Sequence, residues 1–349
     1  MIDRNTFLAG IVEGFYGREW DWATRRAYAE FLREHKLNSY LYCPKSDPHL
    51  RKSWREPWPA ASAEQLRLLA QHYAEQGLYW GVGLSPYALY QDYSAVERTR
   101  LRERIEAIND LGGSLLAILF DDMPGDCPDL AIRQADIVND VANSSLASRI
   151  LVCPTYYSLD PLLETHFGAM PQGYWPALGA QLPEQVDIFW TGNEVCSKTI
   201  SLADIESIQS QLGRAPVLWD NYPVNDGARA SRYLHLEPLP GRDPALVDSV
   251  AGHFCNPMNQ AWLSQYPLSG LATLLGSGNH SWERYFSAGL AKRLQADQAS
   301  FEQQGLDGMG QDRRRELADC YRAFDEPAAR EVVDWLEEKY LFDPACLTG

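Results

Sequence analysis

Short apolar runs return along this chain at intervals of about 30 to 40 residues, the spacing that a strand followed by a helix requires. They read TFLAGIVEG, NSYLYC, LYWGVGL, LLAILFDD, RILVCP, DIFWTG, PVLWDN and VAGHFCNP. Continuous apolar character without alternation suits a strand covered on both faces, as in a parallel sheet. Between the runs, stretches such as WATRRAYAEFLREH and SAEQLRLLAQHYAEQ repeat their apolar residues every three or four positions, the period of a helix with one buried face. Eight such units make an α/β fold of the (β/α)8 TIM-barrel type the economical expectation. An open, doubly wound sheet has the same element order and stays as the alternative, because order alone does not close a sheet. With 349 residues, 45% of them apolar, the chain is long enough for one such barrel and its core. The barrel is assigned to residues 1–280. Residues 281–349 contain SWERYFSAGLAKRLQADQASFEQQ and EPAAREVVDWLEEKY, and are assigned to a C-terminal helical extension packed on the barrel.

In a barrel of this kind the loops at the C-terminal ends of the strands build the active site. The unusual polar residues fall at those ends: Glu13 and Gly14, Lys45 and Asp47, Asp121 and Asp122, Tyr156 and Tyr157, Thr191 and Asn193, Asn221 and Asp226, Asn256 and Asn259. Any one of them alone reads as a turn residue or a helix cap. Together they predict one rim lined by amides, carboxylates, a lysine and aromatic rings, which is the chemistry of a sugar site. Asp121 and Asp122 stand out, because two adjacent carboxylates at the end of a buried strand repel each other and shift each other's protonation.

Composition narrows the partners. A formal charge of −16 argues against affinity for nucleic acid or an anionic membrane surface. No GxxxxGK[ST] or GxGxxG loop is present to hold a nucleotide. The opening MIDRNTFLAGIVEGFYG has no apolar core of the length a signal peptide or spanning helix needs. Seven cysteines (Cys43, Cys127, Cys153, Cys196, Cys255, Cys320, Cys346) form no CxxC pair, which favours thiols in a reducing cytoplasm. The histidines His35, His49, His72, His166, His235, His253 and His280 show no HxH or HExxH spacing, so neither a metal nor a cofactor is expected.

Seven stretches, in order, carry a more specific signal: GIVEGFYGREW (10–20), LNSYLYCPKSD (37–47), LFDDM (119–123), CPTYY (153–157), FWTGNEVCSK (189–198), APVLWDNYPVND (215–226) and NPMNQA (256–261). This set resembles the motifs of glycoside hydrolase family 84, the family of O-GlcNAcases and related bacterial β-N-acetylglucosaminidases. The resemblance implies a barrel and retaining exo-hydrolysis of terminal β-linked N-acetylglucosamine from a glycoside or glycoprotein. It further implies that the substrate's 2-acetamido oxygen, rather than a protein carboxylate, attacks the anomeric carbon to form an oxazoline. Asp121 would then orient and polarise the acetamido N–H, and Asp122 would serve as general acid and then base. By the same resemblance, Gly14, Lys45, Asp226 and Asn256 would contact sugar hydroxyls, Asn221 and Tyr157 the acetamido region, and Trp219 and Cys153 the acetyl pocket. Tyr156, and Asn193 with Glu194, depart from the family pattern on the leaving-group side. The helical tail is shorter than the stalk of the protein-directed members, which leaves recognition of large proteins and the oligomeric state open. Two other readings compete: a hydrolase of another N-acetylhexosaminide, such as β-N-acetylgalactosamine or a longer glycan, and a catalytically silent amino-sugar-binding protein.

Overall fold

The computed structural model describes residues 7–278, 281–340 and 342–346; the six N-terminal residues considered above for a leader, and His280, lie outside the described residues. Each apolar run marks one strand, β6 starting one residue ahead of its run: β1 (Leu8–Glu13), β2 (Ser39–Tyr42), β3 (Tyr79–Leu84), β4 (Leu115–Leu119), β5 (Arg149–Cys153), β6 (Val186–Trp190), β7 (Val217–Asp220) and β8 (Gly252–Cys255). Every strand pairs in parallel with the next, and β1 pairs with β8 in the register Leu8 to Gly252 and Ile11 to Cys255. That last pairing closes the barrel and excludes the open sheet.

Helices α1 (Trp22–Glu34), α2 (Ala60–Glu75), α3 (Ala95–Asn109), α4 (Leu130–Ser144), α5 (Pro161–Phe167), α6 (Tyr174–Gln181), α7 (Leu202–Leu212) and α8 (Ala261–Leu274) follow the strands in chain order. Their ends are written locally. The Asp21 carboxylate accepts from Thr24 N–H to start α1. A reciprocal Ser201 and Asp204 box starts α7, and Gly213, at φ 70°, ends it in the left-handed conformation that glycine tolerates. Strand residues are buried on both faces, so the barrel interior is a packed core. Phe189 of β6 meets the rings of Trp219 on β7 and Phe254 on β8 edge-on, with centroids 5.2 and 5.6 Å away.

Beyond the barrel come α9 (Ala288–Ala299), α10 (Gly305–Tyr321) and α11 (Pro327–Leu336). Their apolar faces form a second core with Leu294, Phe301, Tyr321 and Trp335, and barrel-side residues Leu234, Met258 and Leu263 belong to the same cluster. Polar contacts fix the angle of docking. The Glu331 carboxylate accepts from Trp262 and Leu263 N–H at 3.1 and 2.9 Å, satisfying the exposed amides at the start of α8. Trp335 Nε1 donates to Ser231 O at 3.1 Å, and Arg18 pairs with Asp334 at 3.0 Å. Among the described residues no helix is long and apolar enough to cross a membrane.

Candidate active site

Strand β4 stops at Leu119, although Phe120 N–H still reaches Cys153 O at 2.8 Å. Two residues later Asp122 adopts φ 55°, in the left-handed region. For a residue with a Cβ that conformation costs on the order of 1 kcal/mol. Its effect is geometric: residues adjacent in a strand face opposite ways, and the turn brings both Asp121 and Asp122 to the mouth of the barrel. Their side chains are 9% and 7% exposed.

Lys45, on the loop after β2, lies between the two carboxylates. It is bonded to Asp121 Oδ2, and its Nζ is 3.7 Å from Asp122 Oδ2. Burial opposes the ammonium charge, but Asp121 and Asp122 outweigh it, and the Lys45 pKa lies above the usual lysine value. The other Asp121 oxygen, Oδ1, is buried and has no hydrogen-bond partner. An unsatisfied buried carboxylate oxygen is costly, and this one is free to accept a hydrogen bond.

On the opposite wall, Trp219 and Asn221 extend from the end of β7. Asn221 Oδ1 accepts from Trp219 Nε1 and from Asn256 Nδ2, each at 3.0 Å, and its own amide nitrogen donates to Val195 O at 2.8 Å. The network fixes which way the Asn221 amide faces. Gly14 N–H is engaged by Val12 O at 2.9 Å and Asn256 Oδ1 at 3.3 Å. What the glycine supplies is room: a Cβ at this position would stand 2.4 Å from Trp219 Cζ2. Asp226 accepts from Tyr16 N–H at 2.7 Å, and burial pushes its carboxyl up to about 6. Cys153 and Tyr157 complete the floor, and burial holds both the thiol and the phenol well above their usual values, in the protonated form.

All the side chains assigned above to catalysis or sugar contact, together with Gly14, therefore line one pocket. Its volume is about 470 Å³ including the open mouth, within the range of small-molecule sites. Thr191, Val195, Cys196, Val224, Tyr16 and Cys346 line it as well. Cys346 comes from the stretch after α11, for which no local pattern predicts this position. Tyr16 lies inside GIVEGFYGREW, and its place in a rim loop was the available signal.

Other residues expected on the rim have structural partners elsewhere. Glu13 points out of the barrel and binds Arg25 of α1 through two nitrogens, with Tyr40 Oη donating to it at 2.6 Å. Asp47 caps the following turn at His49 N–H and accepts from Tyr42 and Trp58. Tyr156 Oη donates to Gly168 O, and Asn193 bonds Asp204 at the surface. Asn259 acts one step removed, donating to Tyr16 O and Arg18 O and so holding the loop after β1.

On β7 and β8, Asp220, His253 and Cys255 bring three potential metal ligands within 4.8 Å of one another. Both Asp220 oxygens are bonded to Arg242, and Oδ2 is also 3.0 Å from His253 Nε2. A buried guanidinium on the carboxylate fits an ion pair and repels a cation, so these residues do not suit a metal.

A closed parallel barrel carrying a carboxylate pair and an amide-lined pocket at the C-terminal ends of its strands is a (β/α)8 protein with a site suited to a sugar. Comparison with known proteins narrows the class. Residues 9–299 match the family model of beta-N-acetylglucosaminidase, and the chain belongs to that family, glycoside hydrolase family 84. It is similar to the Protein O-GlcNAcase of Mus musculus, 30% identical over 276 residues, and of Rattus norvegicus, 30% identical over 285 residues. Each alignment covers 76% of this chain and 30% of the relative, so the chain spans about a third of the length of these curated proteins. Among solved structures, a mutant of the Thermobaculum terrenum O-GlcNAc hydrolase is 31% identical, with a TM-score of 0.77 over 95% of this chain and 81% of that one.

Proposed function

We propose that this chain is a retaining exo-β-N-acetylglucosaminidase in which the substrate's own acetamido group is the nucleophile. The observation that carries this reading is the buried, unpartnered Asp121 Oδ1 beside Asp122. A neighbouring-group mechanism needs a fixed acceptor for the acetamido N–H, and that oxygen is one. As the carbonyl oxygen of the acetamide bonds to the anomeric carbon, the Asp121 carboxylate draws the N–H proton to itself, neutralising the positive charge developing on nitrogen, and returns it when the ring opens. Asp122 gives its proton to the glycosidic oxygen as the bond to the aglycone breaks. In the second half Asp122 removes a proton from water, which adds to the anomeric carbon, opens the oxazoline and restores the β configuration.

Lys45, bonded to Asp121 and farther from Asp122, gives the two carboxyls different surroundings and so different duties. Asn221, held by Trp219 and Val195, and the Tyr157 hydroxyl border the acetamido end, while Asp226 and Asn256 accept or donate at the outer sugar hydroxyls. The reading needs no cofactor. It takes the substrate as a terminal N-acetylglucosaminide, as the names of the similar O-GlcNAcases suggest. It also places the chain in the cytoplasm, which agrees with Cys43, Cys127, Cys153, Cys196, Cys255 and Cys320 standing as thiols.

The test is hydrolysis of an aryl β-N-acetylglucosaminide, with and without a thiazoline that mimics the oxazoline. Turnover abolished by the thiazoline is expected. Turnover that ignores it would remove the neighbouring-group mechanism, and tight thiazoline binding without turnover would favour a sugar-binding protein.

A further inference from the structure

Asp122 is held through one of its two oxygens. Tyr16 Oη donates to Asp122 Oδ2 at 2.5 Å, Lys45 Nζ is 3.7 Å from that same atom, and Arg51 Nη2 is 3.9 Å from it. Among the described residues no hydrogen bond reaches Oδ1, which is therefore the oxygen left to exchange a proton with substrate. Arg51 Nη1 also donates to Tyr16 Oη at 3.0 Å, and the guanidinium lies 5.3 Å from the centre of the Tyr16 ring. A phenol that accepts from a guanidinium is a stronger donor to the carboxylate beyond it. Burial, and then the Asp122 charge, push the Tyr16 hydroxyl above the usual tyrosine range, so it stays protonated and acts as a donor.

From this chain of contacts we infer that Arg51 is a positioning residue for the acid/base carboxyl: through Tyr16 it fixes Oδ2 of Asp122 and directs Oδ1 at the substrate. The inference rests on the reading of Asp122 as acid and base. It extends that reading to an arginine that stands outside the pocket lining, on the turn after the 3-10 segment Pro48–Leu50.

The loop at Tyr16 does not depend on its hydroxyl. Its N–H is bonded to Asp226 and its carbonyl to Asn259. Tyr16→Phe therefore removes the donor and leaves the backbone anchored. The other groups that act on Asp122 are Lys45 and Asp121, with Tyr157, Cys153 and Asp226 around the pocket, and all are unchanged in these variants.

Misaligning Oδ1 slows proton transfer to the aglycone without touching the sugar contacts, so its cost grows with the basicity of the leaving group. The experiment measures kcat and KM on a phenyl and on a dinitrophenyl β-N-acetylglucosaminide for the natural protein, Tyr16→Phe, Arg51→Met and Arg51→Lys, each checked for folding by its melting temperature. In Tyr16→Phe and Arg51→Met, kcat/KM on the phenyl glycoside is expected to fall about tenfold, carried by kcat with KM within about threefold, and kcat/KM on the dinitrophenyl glycoside is expected to stay within about threefold. Arg51→Lys, which keeps the charge, is expected to lose less and to serve if Arg51→Met does not fold. No loss in folded variants, an equal loss on both substrates, or a loss carried by KM alone overturns the inference and leaves the function reading standing. A natural protein that fails to turn over the glycoside overturns both.

Discussion

Asp121 and Asp122 are neighbours in sequence, yet one has a bare, buried oxygen and the other is held by a tyrosine, and the left-handed turn at Asp122 separates them. Two carboxyls with the same chemistry thereby receive different surroundings, and the proposed division of labour follows from that difference.

Asp122→Ala removes the proton donor, so its effect depends on the leaving group. On a phenyl glycoside, which needs protonation to depart, kcat/KM is expected to fall about 10²- to 10⁴-fold, against less than about tenfold on a dinitrophenyl glycoside. Parallel rate measurements on the two substrates check this. Equal losses on both would exclude Asp122 as the acid.

Asp121→Asn acts differently, because it weakens the acceptor for the acetamido N–H and leaves the buried Lys45 ammonium with only the more distant Asp122 carboxylate. The expected loss in kcat is about 10²- to 10³-fold, and it persists on the dinitrophenyl substrate, since cyclisation and not departure is impaired. A variant with natural turnover would contradict the assignment.

Gly14→Ala tests the packing of the acetyl side. The added Cβ would meet Trp219 Cζ2 at 2.4 Å, and the indole cannot retreat without breaking its bond to Asn221. Destabilisation of about 1 to 3 kcal/mol is expected, with weaker thiazoline binding. Gly77→Ala is the control. There a side chain meets nothing within 4 Å, and only the φ of 71° opposes it, so a loss of stability with thiazoline affinity unchanged is expected. Calorimetry and thermal melts on both variants decide the matter.

The barrel was legible because its strands are largely buried on both faces: most read as near-continuous apolar runs, and the polar residues after them mark the catalytic end. Closure was not legible, since it is set by the pairing of Leu8 with Gly252 across the whole chain. Glu13 was misplaced for a related reason. It terminates β1 as Asp121 follows β4, but its side chain faces the helix layer, and only three-dimensional structure brings Arg25 to it. Arg51 escaped notice because its link to Asp122 runs through Tyr16, which lies 35 residues away in sequence. The motif resemblance located the pocket; it did not reveal which carboxylate oxygens were already bonded.

Asp226 supplies the last prediction, on pH and stability. Burial raises its carboxyl from an ordinary 3.8 to about 6 in the folded chain. The folded state therefore holds this proton more tightly than the unfolded state does, so stability from the group is fully present below about pH 4 and is lost as pH rises through about 6. A shift of that size corresponds to on the order of 2–3 kcal/mol between pH 4 and pH 8. Asp226→Asn has no proton to lose, and it keeps an oxygen that can accept from Tyr16 N–H. Denaturant titrations at pH 5 and pH 8 should show the variant gaining stability over the natural protein at the higher pH only. A sugar whose hydroxyls donate to ionised Asp226 would reverse the sign: it compensates the buried charge, so ligand affinity should rise from pH 5 to pH 7 in the natural protein and stay flat in the variant. A natural protein whose stability shows no slope through pH 6, and whose ligand affinity shows none either, would mean that water reaches this carboxylate and that burial does not govern it.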